Sequence, residues 1–571
     1  MGNTASTPSP ASPVRHVSRR QRPVSPRLTL DEKFDAFHID HEEHATSQKV
    51  LSPDDSQHVS AAETEAYVRE LLQDSKNRLG LSALSTNNPS AILEKPSTIL
   101  KDTQYFNTAI PHEGSPVTNQ RSSGRCWIFA ASNVFRIAIM QKFDVKSLEL
   151  SQAYLFFWDK VEKANYFLES ILDTLDEDVD SRLIGALMAG PVGDGGQWDM
   201  IVNLVSKYGI VPQTLYPDSW NAMNSSVMGR LLTTKLREDG LRLRSLACSS
   251  SSTEKVAAAK EKMMQDVIRI LTLCLGPPPS ATEKFTWEYY DSSHKFKTVS
   301  LTPLEFAETT HVKRFFSLTN DPRNPYNRLL SVDHLGNVWD GRPITYVNVD
   351  KIVMKQACVA MLKKGLPIFF GSDVGKQSNF QKGIMDTDLV DYELGFNVKL
   401  GMSKAERLLT GESAMTHAMV LTAVHLDRDG KPVRWRVENS WSVSAGTEGY
   451  FVMSDEWMDE YCYQAVVDPS VVDREIRDVL KQEPKVLPLW DPMGLKHRFV
   501  DRSHCESKAG EVDTNVHFGS LVKRLRLDYH FLWGHYDESS DSRVSPPGII
   551  RCYCYYCALL ESSLLIKLSM R

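Results

Sequence analysis

Cys126 stands where two devices that ionise a thiol can meet. A thiol attacks a carbonyl as thiolate, and an ordinary cysteine, with a pKa of about 8.5, is only slightly ionised at neutral pH. The positive end of a helix and a nearby imidazolium each lower that pKa. Cys126 is followed by WIFAASNVFRIAIMQKF, apolar on nearly every side, which predicts a buried helix starting at or just before the cysteine. Ahead of it, Ser122, Ser123 and Gly124 make a tight polar entry that lets backbone approach a substrate closely. Gln120, six residues upstream in NQRSSGRCW, has a side-chain amide able to reach a developing oxyanion together with the Cys126 backbone N–H.

Each of these residues has a plainer reading. A lone buried cysteine is usually a small hydrophobe, and Gln120 could be a surface loop residue. His417, in MTHAMVLTAV at the start of an apolar predicted strand, could be a satisfied core histidine. Asn439 follows 22 positions later in VENSWS, and its amide oxygen could accept from one imidazole nitrogen and aim the other at a thiol. Trp441, two residues on, is close enough to cover that hydrogen bond. Together and in this order, the residues point to nucleophilic acyl transfer by a cysteine.

The elements that must position them run from helices to strands. A helix is predicted through LSQAYLFFWDKVEKANYFLESIL, then a Gly-rich turn, GPVGDGGQWDM. Residues 225–350 read as an inserted helical region. Strands come late, in LPIFFGSDV, HAMVLTAVHL, VRWRVENS and GYFVMSD, with a turn at Asp429-Gly430. This order predicts an α+β architecture with two segregated lobes. Order begins near Ser60, where AAETEAYVRELLQDSKNRL has helical periodicity.

Composition bounds the function. Of 571 residues 42% are hydrophobic and 24% charged, and the formal net charge is −6, which argues against a nucleic-acid binder as the main role. No run reaches the ~18 apolar residues of a membrane span, and the first 30 residues lack the apolar core of a signal peptide. Nine cysteines, single through the body of the chain, make no disulfide framework and fit a reducing intracellular compartment.

Gln120, GRCWIFA, THAM and ENSW resemble the papain clan of cysteine peptidases. DGGQWDM, FGSDVGK, GESAMTHAMVLTAV and LPLWDPMG narrow the resemblance to the bleomycin hydrolases, over roughly residues 60–493. It implies a papain-like two-lobed fold, a helical lobe plus a β-barrel-like lobe, with inserted helices that assemble six subunits into a ring. It further implies cysteine aminopeptidase action on short peptides, hydrolysis of bleomycin's amide and of homocysteine thiolactone, and no metal or organic cofactor. By its motifs Cys126, His417 and Asn439 form the triad and Gln120 donates to the oxyanion. Gly195 and Gly196 would offer backbone hydrogen bonds to an extended peptide, against the plainer reading of a tight turn after Pro191. The expected domains are a disordered tail at 1–48, a peptidase domain at 49–493 and an atypical extension at 494–571.

Both ends depart from this pattern. The resemblance implies a chain that stops shortly after Trp490–Gly494, its terminal carboxylate entering the cleft and confining attack to peptide N-termini. This sequence runs 77 residues past Gly494 (571 − 494), which opens endopeptidase action as an expectation. The extension has little pattern and reads more readily as unspliced read-through than as a domain. Its Cys552, Cys554 and Cys557 lack a good second ligand pair for zinc. At the other end Met1–Ser6 fits the N-myristoylation pattern, with Gly2 and Ser6 in place and arginines behind as a second membrane signal. A solvated disordered tail is the favoured reading there, and five prolines spoil the amphipathic helix of a mitochondrial transit peptide. The expected location is cytoplasmic, with a mitochondrial or membrane-tethered pool as the variants. Two rival readings stand beside this one: a transglutaminase-like acyl transferase, which would use an Asp as its third member, and a ring-shaped scaffold without activity, which loss of a triad residue would favour.

Overall fold

The computed structural model describes residues 59–249 and 252–494. The tail at 1–48 with Gly2, and the extension beyond Gly494 with its cysteines, lie outside the described residues. The chain divides into two compact units, Met1–Thr86 and Asn87–Arg571. In the first, the periodic segment forms two helices, Ala61–Leu71 and Ser75–Leu84. Ser60 caps one and Asp74 the other, each accepting a backbone N–H of the first turn.

In the second unit the apolar run after Cys126 forms the helix Cys126–Phe143. Its Trp127, Ile128, Phe129 and Ala131 are fully buried or nearly so, as an all-round apolar helix must be. Beside it lie the helices Gln152–Asp173 and Trp198–Tyr208. Among the described residues twelve strands form one large sheet. The order of its nine longer strands is Lys485–Leu487, Arg328–Val332, Thr345–Asn348, Phe316–Thr319, Cys462–Val467, Ile368–Ser372, His417–Leu426, Pro432–Glu438 and Tyr450–Ser454.

This sheet is covered on both faces, which is why its central strands read as unbroken apolar runs. Along His417–Leu426, Ala418 and Val420 join the core of the helical lobe. Met419 and Leu421, on the opposite face, join a second core with Met354, Cys358 and Met361 of the helix Lys351–Lys363. The neighbouring strand repeats the alternation, Phe369 to one side and Phe370 to the other. The papain-like α+β expectation holds.

The 225–350 region differs from expectation. Its long helices are Ser226–Ser249 and Thr253–Leu275, followed by the short helix Pro303–Ala307 and two single 3-10 turns; Phe285–Tyr290 and Phe296–Leu301 form a hairpin, and Phe316–Thr319, Arg328–Val332 and Thr345–Asn348 belong to the large sheet. These strands are only four or five residues long and mix polar with apolar residues on both buried faces, too short for a period to decide the element.

Candidate active site

The helix that opens at Cys126 has no side-chain cap: Arg125 sits at the N-cap position and sends its guanidinium into the helical lobe. There it makes a two-pronged contact with Asp218, at 2.7 and 2.9 Å, and lies over the rings of Phe129 and Phe156. A side chain driven inward at 125 fixes the turn that delivers Cys126, which is 4% exposed.

His417 begins its strand opposite Ser372 of the neighbouring strand. On the other side the register Val420↔Glu438 runs the Pro432–Glu438 strand out of the sheet at Asn439, beside the His417 end. Asn439 Oδ1 lies 2.9 Å from His417 Nε2 and also accepts the Ser440 backbone N–H at 2.8 Å. Asn439 is 1% and His417 5% exposed, so this bond is shielded from water. Trp441 stacks on the imidazole, ring centroids 4.6 Å apart and 26° between planes, and is itself edged by Phe380.

Gln120 is buried, not the surface residue of the plainer reading. Its backbone N–H donates to the Ser440 carbonyl at 2.9 Å, and its Oε1 accepts from Ser440 Oγ at 2.8 Å. With the acceptor end so engaged, Nε2 turns toward the nucleophile turn, where it donates to the Ser123 carbonyl at 2.7 Å. Thr118 accepts the Ser442 N–H and Asn119 pairs with Trp441, so residues 118–120 form a short antiparallel ladder with 440–442. The stretch ahead of Cys126 is thereby laced to the stretch after Asn439. A second tie is the buried ion pair of Arg136, on the Cys126 helix, with Glu438. Burial raises the Glu438 carboxyl, and the Arg136 charge opposes that rise.

Gly195 and Gly196 lie in a loop held against the same helix. Lys163 Nζ donates to the carbonyls of Gly193 and Gly195, and Trp127 Nε1 donates to the Asp194 carbonyl at 2.7 Å. A Cβ on Gly196 would meet the Trp127 indole at 2.6 Å, so the bare Cα there admits the indole. This reason for a glycine is independent of any substrate.

Sequence reasoning missed Ser440, Asp194, Lys160 and Lys163. The lysines carried a signal: two cations, at 160 and 163, stand with Asp159 and Glu162 inside a helix rich in aromatic residues, and buried cations need partners. Ser440 and Asp194 gave none, since Asn-Ser and Asp-Gly-Gly read as ordinary turn chemistry.

The model of the Peptidase C1-like family matches residues 58–494. With the papain-like fold, this makes the chain a cysteine peptidase. Human bleomycin hydrolase is 43% identical over 443 residues, 75% of this chain and 96% of the relative. The mitochondrial cysteine proteinase 1 of Saccharomyces cerevisiae is 41% identical over 455 residues, 77% of this chain and 93% of the relative. The crystal structure of PepW from Lactobacillus rhamnosis HN001 superposes with a TM-score of 0.74 at 41% identity, covering 77% of this chain and 99% of that one. The chain belongs to the bleomycin hydrolase family. The transglutaminase-like and non-catalytic alternatives give way to this membership. Among the described residues no helix is long and apolar enough to cross a membrane.

Proposed function

We propose that the chain is a cysteine aminopeptidase acting through Cys126, His417 and Asn439. The observation that carries the reading is the 2.9 Å contact between Asn439 Oδ1 and His417 Nε2 under Trp441, which leaves Nδ1 as the nitrogen for the thiol. The Cys126 thiolate attacks the carbonyl of the substrate's first residue. Gln120 Nε2 and the Cys126 backbone N–H receive the oxyanion. The C–N bond breaks as the His417 imidazolium gives its proton to the leaving amine, and an acyl-thioester remains. Water, losing a proton to His417, then attacks the thioester and releases the free acid. The Gly195-Gly196 loop is assigned to the backbone of the bound peptide.

The substrate class is an N-terminal amino acid in amide linkage to a peptide or a bleomycin-like amine. Homocysteine thiolactone, an activated acyl group beside a free amine, suits the same site. No cofactor is assigned. The assembly is a homohexamer, and the location cytoplasmic with a mitochondrial pool, the latter supported by the name of the yeast relative. Lipidation at Gly2 would add a membrane-tethered pool, which an intact mass of the amino terminus tests.

The test of the activity uses one tripeptide with free and with acetylated amino terminus. Release of the first residue from the free peptide alone is expected. Equal internal cleavage of both contradicts aminopeptidase restriction, and cleavage of neither by chain with an intact thiol contradicts the activity.

A further inference from the structure

We propose that Asp194 is a positioning residue that couples the nucleophile turn to the glycine loop, holding the Cys126 sulfur and the substrate backbone in one frame. The proposal rests on the reading of Cys126 as nucleophile and of Gly195-Gly196 as the substrate's backbone platform. One residue touches all the parts concerned. Asp194 Oδ2 accepts the backbone N–H of Gly124, two residues before Cys126, at 3.0 Å. The Asp194 carbonyl accepts the indole N–H of Trp127, the residue after Cys126, at 2.7 Å. Oδ2 also accepts the Ser225 hydroxyl at the foot of the inserted helix Ser226–Ser249, and Oδ1 meets the buried Lys160 ammonium at 2.6 Å.

The glycines follow directly in the chain, so a shift of Asp194 moves them. Lys163, one helical turn from Lys160, pins the loop's other side through the Gly193 and Gly195 carbonyls and is itself paired with Asp159 at 2.7 Å. Gly196 then sits so close to Trp127 that the loop cannot slide without moving the indole. Burial alone would raise the Asp194 carboxyl, but Lys160, with the hydrogen bonds from Ser225 and Gly124, holds it well below the usual carboxylate range. Its two oxygens accept from Lys160, Ser225 and the Gly124 backbone, which favours the charged form. A residue serving only the stability of the helical lobe would need Lys160; it would not need its carboxylate on the Gly124 N–H and its backbone carbonyl on the Trp127 indole, one on each side of the nucleophile.

The test is Asp194→Asn in the full chain, which keeps the shape but loses the charge and one acceptor. Three quantities are read: kcat and KM for an aminoacyl amide, the rate of Cys126 alkylation by iodoacetamide, and the melting temperature. Alkylation needs only a competent thiol; hydrolysis needs the thiol and the substrate in register. The expected result is a fall in kcat/KM of about 10- to 100-fold while alkylation changes by less than about threefold. Unchanged hydrolysis overturns the proposal, and so does a parallel loss of hydrolysis and alkylation. If Asp194→Asn does not fold, Trp127→Phe, which removes the indole donor to the Asp194 carbonyl, must show the same split in milder form, and a parallel loss there overturns the coupling. A wild-type chain whose Cys126 is not alkylated at all overturns the reading beneath the proposal and the proposal with it.

Discussion

An imidazole serves a thiol as a directed base when its other nitrogen is held, and Asn439 holds Nε2 of His417 in a site almost closed to water. The three residues therefore differ in what they contribute, and substitution should grade accordingly. Cys126→Ala is expected to lower hydrolysis at least about 10³-fold with the melting temperature unchanged, since a group that forms the bond has no substitute. His417→Ala should be of the same order. Asn439→Ala should cost about 100-fold or less, because the asparagine orients and transfers no proton. Steady-state kinetics on the three variants check the ranking; an asparagine effect as large as the cysteine's would make it more than an orienting group.

The elements that carry these residues are locked by contacts inside the protein, and these give predictions of stability. Glu438→Gln leaves the Arg136 guanidinium buried without its counter-charge, and denaturant unfolding should show a loss of about 3–5 kcal/mol. Gly196→Ala forces a methyl into the Trp127 indole and should cost about 1–3 kcal/mol by the same measurement. Asp102 predicts a pH dependence. Burial, and then the neighbouring Asp386 charge, raise its carboxyl to about 7. The stability this group contributes is fully present below its unfolded value of about 4 and is lost as pH rises through about 7. The melting temperature of wild type relative to Asp102→Asn should therefore decline between pH 4 and 8; a rise would reverse the sign of the argument.

The same elements show what could be read from sequence. The helix at Cys126 was legible from its long apolar run and the strands at 368, 417, 432 and 450 from β-branched and aromatic residues set off by turns, and Gly430, at φ 79°, closes the Asp429-Gly430 turn as its residue type requires. The sheet strands between 316 and 348 were not, because segments of four or five residues that mix polar with apolar side chains hold too few positions to fix a period. Asp194 was hidden for another reason: its meaning lies in Gly124 and Lys160, 70 and 34 residues away. Chain order exposes a constellation of rare residue types. It does not expose which turn carboxylate is gripped by a distant ammonium.

Over the whole molecule, the large sheet carries a core on each face, and the candidate site lies where the helix of one core meets the ends of the sheet's central strands. That arrangement makes the site sensitive to the docking of two cores, so destabilising either should lower activity before secondary structure is lost. The proposed ring is checked by sedimentation, which should give six times the mass of one chain; a monomer that is fully active would remove assembly from the account. The most direct measurement follows alkylation of Cys126 by iodoacetamide across pH, in wild type and in His417→Ala. The account predicts that the wild-type thiol already reacts at its full rate near neutral pH and that His417→Ala moves the midpoint up toward the ordinary thiol value of about 8.5, the helix end alone remaining to lower it. Superimposable profiles would contradict it, because the thiol would then owe nothing to the imidazole.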